Sequence, residues 1–215
     1  MIREAQVELH KSTMAYWLEK DFLTAGWWLL LIGCFVFIIA WLIILDKSRL
    51  MEICVYGLLI GFSAGILDTV GFSLGLWGYP TKLIPVNPPL FPVDFVYLPV
   101  INMLIFQFFR KWKSFIIANI VAAFLYAWIG EPIYRWLDIY IIYSWKMSYS
   151  IPIYIAMSIF FRWLTEKFVV AGGMNDRRKM KPKPKHSRVI PYFYIIPSIA
   201  ALSGFVFVKR SKKKR

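Results

Sequence analysis

The chain has 215 residues, 59% of them hydrophobic and 19% aromatic, and carries a formal net charge of +14. That apolar content exceeds what a single soluble core of this size encloses, so an ordinary water-soluble domain is excluded. The charge does not point to nucleic acid: from Arg162 onward there are 15 basic and two acidic residues, a net of +13, which leaves +1 for everything before.

Residues 1–24 come first. In REAQVELHKSTMAYWLEKDF the apolar residues recur at helical spacing, which predicts an interfacial helix feeding the first span. No cleavable signal peptide is read here, because the long apolar run begins only after this segment. A bilayer crossing needs roughly 20 mostly apolar residues. Five stretches within 25–171 supply them: 25–45, 53–77, 92–109, 115–137 and 151–170. The expected fold is therefore all-α, an integral membrane helical bundle of five transmembrane helices, or of six if a later apolar segment also crosses. A basic, proline-containing linker, 172–188, then leads to a sixth apolar segment with a basic tail, 189–215.

Charge placement orients the bundle. Lys47 and Arg49 follow the first span, Arg110, Lys111 and Lys113 the third, and Lys167, Arg177, Arg178 and Lys179 the fifth. By the positive-inside rule these ends face the cytoplasm, which puts the N-terminus outside a multi-pass protein of the cell membrane. A sixth crossing would carry KRSKKKR outside, against the rule, so the last segment either re-enters or crosses against the bias. In the linker, Arg177, Arg178, Lys179, Lys181, Lys183 and Lys185 are spaced by prolines and are expected to attract anionic headgroups at about 1 kcal/mol each near the surface. Neither interleaved aromatics nor a recognition module accompanies them, so no nucleic-acid partner is expected.

Several chemistries are set aside by what the spans contain. Cys34 and Cys54 both fall inside spans and read as buried thiols, while His10 and His186 lie outside them. No glycine-rich phosphate loop occurs, and neither a cofactor nor a metal site is expected, although three carboxylates remain a minor option for a hard cation.

The acids are the informative residues. Asp68, Asp94 and Glu131 sit in the second, third and fourth spans, all toward the outer ends. A charge within a span is costly and reads as functional by default. Together with Trp77, Tyr79 and Arg135 they outline a polar pocket in the outer leaflet, which Gly61, Gly65, Gly71 and Gly75 would help to close by letting helices approach. The segment YPTKLIPVNPPLFP, residues 79–92, holds five prolines and predicts a rigid extended cap. Simpler roles compete: a first-turn charge for Asp94, an ion pair with Arg135 for Glu131, and a clasp to another helix for Asp68.

The order Asp68, Phe72, GLW at 75–77, Tyr79-Pro80, then PPLFPVDFVYLP at 88–99, GEPI at 130–133 and WKMSYSIPIY at 145–154 resembles an uncharacterised family. This is the CBO-type family of small multi-pass membrane proteins of spore-forming bacilli and clostridia, and the likeness covers about residues 27–168. It implies a bacterial cell-membrane protein and no activity. A fainter similarity, on Asp68, Gly75, Trp77, Pro92, Asp94 and Phe95, is to the membrane-bound lycopene cyclases, which implies acidic residues that protonate an isoprenoid chain. The paired acids of that family are here Val93 and Asp94. Two functions follow as expectations: a non-enzymatic binder of a lipid, a cation or a membrane partner (a second copy included), and, as the alternative, a membrane enzyme that works by acid catalysis on an isoprenoid or lipid.

Overall fold

A computed structural model of the chain describes residues 2–86 and 90–172. The expectations for the basic linker, the sixth apolar segment, the headgroup contacts from Arg177 to Lys185 and the centre of the proline-rich cap fall outside them.

The described chain is helical. Helix α1, Ile2–Tyr16, buries none of its residues and passes through a π-helical turn, Trp17–Asp21, into the first apolar run. There Thr24 caps helix α2, Ala25–Ile44, accepting from the Trp27 amide at 3.3 Å. Helix α3, Leu50–Ser73, stops four residues short of the expected end, because Gly75 turns the chain at φ +67° and breaks the helical run before Trp77. The third apolar stretch is a π-helical turn, Val93–Tyr97, continuing as α4, Leu98–Phe108. These 16 residues reach about 24 Å at roughly 1.5 Å per residue. Helix α5, Trp112–Leu125, runs through a π-helical turn, Tyr126–Gly130, into α6, Glu131–Trp136. Helix α7, Met147–Ala171, holds Pro152 near its start.

Ala25–Ile44, Lys47–Ser73 and Trp112–Trp136 are long and apolar enough to cross a membrane. One departure from an all-α description is a strand pair, β1 (Trp77–Gly78) antiparallel to β2 (Ile141–Ile142), with Trp77 opposite Ile142.

The core lies among α3, α4, α5 and α7, where Ile53, Tyr56, Ile60, Met103, Phe106 and Phe115 are buried. Tyr56 and Phe106 stack at 4.6 Å. Small residues set the spacing as expected: a Cβ on Gly61 would lie 3.0 Å from Pro99, and one on Gly65 2.7 Å from the Phe95 ring. A polar seam crosses this core, with the Tyr56 and Ser158 hydroxyls both donating to Asn102 Oδ1.

The loops gather at two opposite ends. At one, the Gln107 side-chain amide donates to the Ile44 carbonyl while its oxygen accepts from the Asp46 amide, and Arg110 pairs with Asp46 at 3.1 Å. At the other, the α3–α4 connection is stapled from both sides. The Trp17 and Trp27 indoles donate to the carbonyls of Lys82 and Leu83, and β1 pairs with β2 of the α6–α7 connection. This stapled connection forms a cap over the site.

Candidate functional site

Under the cap lies a cavity of about 310 Å³. Helix α3 contributes Ala64, Leu67, Asp68 and Gly71, and α7 contributes Ser150, Ile153, Tyr154 and Met157. Each set repeats at i, i+3, i+4 and i+7, the spacing that puts side chains on one helix face, so two stripes face one another across the space. Asp94 enters from the π-helical turn before α4, and Glu131 from the start of α6.

Asp68, 7% exposed, is held by groups from the loop that follows its own helix. The Trp77 indole donates to Oδ1 at 2.8 Å, the Tyr79 hydroxyl donates to the same oxygen, and the Leu90 amide donates to Oδ2 at 3.2 Å. Gly71 makes this possible, since its missing side chain leaves the place that the Trp77 ring occupies. The Asp94 carboxyl lies beside Asp68. Three donors fill three of the roughly four lone-pair sites of the Asp68 carboxylate, which leaves room for one more donor, such as a protonated Asp94. Asp94 Oδ2 remains buried and without a hydrogen-bond partner.

Glu131 is on another wall. Its neighbour there is Ser150, whose hydroxyl accepts from the Trp145 indole at 3.0 Å, while Glu131 Oε2 is buried with no partner. The three acids therefore line one cavity, with Asp68 and Asp94 in contact and Glu131 apart. Trp77 and Tyr79 also line it. Arg135 is exposed and is not part of the lining, and no Glu131–Arg135 ion pair forms. Among the described residues no cluster of histidine, cysteine and acidic groups is arranged to hold a metal ion.

The remaining wall is aromatic. Trp77 and Trp145 meet edge to face at 5.3 Å, and Tyr79 stacks on Tyr140 at 5.7 Å. Tyr140, Ser150 and Tyr154 were not signalled by the sequence, because their relation to Asp68 depends on how α7 and the β2 loop fold back. The repeat Ser150, Ile153, Tyr154, Met157 is the one local signal that matches the stripe on α3.

Tyr79 also borders a second hollow of about 270 Å³ on the outer side of the cap, formed with Ser12, Thr13, Asp21 and Lys82. Here Asp21 Oδ2 accepts from the Lys82 amide at 3.1 Å. Burial pushes the Asp21 carboxyl above its ordinary range, against the opposing pull of the Lys82 amide and ammonium. The chain matches no family model, and no curated protein or solved structure is similar to it.

Proposed function

We propose that the protein is a five-span membrane protein of the cell membrane that binds an amphiphile with a cationic head in the acidic, aromatic cavity, without transforming it. The observation that carries this reading is the pair of buried, unpartnered carboxyl oxygens, Asp94 Oδ2 and Glu131 Oε2, at the wall of a cavity that is mostly aromatic and aliphatic. Such oxygens lack a donor, and a cation or a polar head with N–H groups supplies one. Aromatic faces add attraction for quaternary or primary ammonium groups.

The five-span arrangement is supported by Val93–Phe108 and Met147–Ala171, which complete an alternating path between the two ends alongside the three helices that are long and apolar enough to cross. The basic loop residues at 47, 49, 110 and 111 share one end, which favours an outer position for the cap and the N-terminus. Membership of the CBO-type family fits this size and layout. In the same reading the basic residues from Arg177 to Lys185 add attraction to an anionic leaflet.

The test is binding of a long-chain quaternary ammonium to the purified protein in nanodiscs. Wild type is expected to bind, and Glu131→Gln and Asp94→Asn to bind at least tenfold more weakly; equal binding by all three proteins sinks the reading.

A second reading rests on the two neighbouring acids, Asp68 and Asp94, at the wall of a largely apolar space of this size. It is acid catalysis on an isoprenoid or lipid, with Asp94 as the general acid. Untargeted mass spectrometry of membranes from a host supplied with isoprenoid precursors separates the two: a product made by wild type and absent with Asp94→Asn selects the enzyme.

A further inference from the structure

We infer that the cavity exchanges its ligand sideways with the hydrocarbon of the bilayer, through a portal between the outer halves of α3 and α7, and that its ligand is therefore a single-chain amphiphile dissolved in the membrane. The inference rests on the binding reading above and specifies the route and the class of ligand.

Three observations converge. The first concerns which lining residues also face outward. Leu67 is 46% exposed and Val70 50% on α3, and Ile153 is 37% exposed on α7. All are aliphatic, and each borders the cavity on one side and the exterior on the other. The acids, by contrast, lie inside: Asp68 and Asp94 are buried and Glu131 is half-buried.

The second observation is how the two helices diverge. Deeper in the bundle α3 and α7 are tied, the Tyr56 hydroxyl donating to the Ser158 carbonyl at 3.4 Å, and Met157 is the buried floor of the cavity. Toward the cap, about two to four turns along α3 and up to about two turns along α7, the Ala64–Leu67–Asp68–Gly71 stripe and the Ser150–Ile153–Tyr154–Met157 stripe have the cavity between them. The helices are joined below and parted above, and the opening between them is edged by Leu67, Val70 and Ile153.

The third is closure on the aqueous side. Beyond the β1–β2 pair, the amides of Tyr143 and Ser144 both donate to the Leu76 carbonyl, at 3.0 and 3.2 Å. The Trp77–Trp145 and Tyr79–Tyr140 ring pairs lie beneath. A ligand from water would have to break this seam. A ligand from the bilayer passes only aliphatic side chains, which shift between rotamers without losing a hydrogen bond. The chemistry of the route selects the ligand: an alkyl or isoprenoid chain trails in the portal among Leu67, Val70 and Ile153, and a cationic head reaches the open oxygens of Asp94 and Glu131.

The test follows exchange of radiolabelled hexadecyltrimethylammonium on the full-length protein in phosphatidylglycerol nanodiscs, corrected for empty nanodiscs. Leu67→Trp/Ile153→Trp narrows the portal and should slow exchange at least tenfold; Leu67→Ala/Ile153→Ala widens it and should speed exchange severalfold. The alanine pair leaves the cap and the acids untouched and serves if the bulkier pair does not fold. Exchange rates equal to wild type in the folded portal variants, with Glu131→Gln still weakened in affinity, overturn the portal and leave the binding reading standing. Absence of specific binding to wild type, or undiminished binding by Glu131→Gln, overturns both.

Discussion

The two ends of the bundle bury charge in opposite ways. At the end away from the cap, Arg162 on α7 is 4% exposed, yet every face of its guanidinium is occupied. Its Nη1 donates to the Phe109 carbonyl at 3.0 Å, Nη2 donates to the Arg110 carbonyl and Nε to Glu166 at 2.8 Å. The Phe115 and Trp112 rings lie 4.4 and 4.5 Å from its carbon. This is a lock: the guanidinium satisfies two carbonyls of the turn that follows α4 and fixes α7 against the α4–α5 connection. At the cap end, Asp94 and Glu131 each keep an oxygen with no partner. A buried charge whose hydrogen bonds are complete contributes structure, whereas one left incomplete at a cavity wall is available to something else.

That contrast can be broken most visibly from the locked end. Arg162→Leu strips donors from two carbonyls and leaves Glu166 without its partner, and should cost about 3 kcal/mol, read as the largest drop in thermal midpoint in detergent. Asp68→Asn comes next. It removes the charged acceptor of Trp77, Tyr79 and Leu90, a loss of about 1.5–3 kcal/mol. In a double-mutant cycle Asp68→Asn should couple to Asp94→Asn by about 0.5–3 kcal/mol and more weakly to Glu131→Gln, since only the first pair is in contact. Additive effects for both pairs would contradict the contact between Asp68 and Asp94.

Glu131→Gln sharpens the comparison, because Oε2 has no bond to lose. Its cost in stability should be about 1 kcal/mol or less, while ligand binding falls. The smallest effect is a pH dependence at the locked end. Hydrogen bonds from Ser48 hold the Asp46 carboxyl below the usual carboxylate range, with Arg110 and Arg49 adding to the effect. Its folded value is below the unfolded one, so this stability is present above about pH 4 and is lost as pH falls through the folded value. For a partly exposed group it amounts to about 0.5 kcal/mol. A plot of thermal midpoint against pH should flatten slightly in Asp46→Asn, and an unchanged acid limb would contradict the assignment.

How far the sequence could be read depended on the range of the signal. Helix α2 was placed to within a residue because uniform apolarity is local information. The end of α3 was overrun because Gly75 sits within an apolar run that gives no sign of its positive φ. Asp68, Asp94 and Glu131 were expected at one depth by counting residues along helices, and all three line one cavity. The donor set of Asp68 was expected from another helix and instead comes mostly from its own following loop, a geometry that Gly71 permits only once the Trp77 ring folds back. Arg162 was counted with the basic tail. Its burial is decided by Phe106, Trp112 and Phe115, some 47 to 56 residues earlier, and no local pattern announces such a box.

The hydrogen bonds of Asp68 also have an order in time. A ribosome that has just finished α3 delivers Trp77 nine residues and Tyr79 eleven residues after the acid, and Leu90 after twenty-two. Two neutral donors are thus synthesised before any part of the third segment, so a nascent chain presents the membrane-insertion machinery with an acid already within reach of its own escort. Glu131 has no such early companion, since Ser150 emerges nineteen residues later, at the start of α7. Helix α7, made after the other walls, is the one that completes the site.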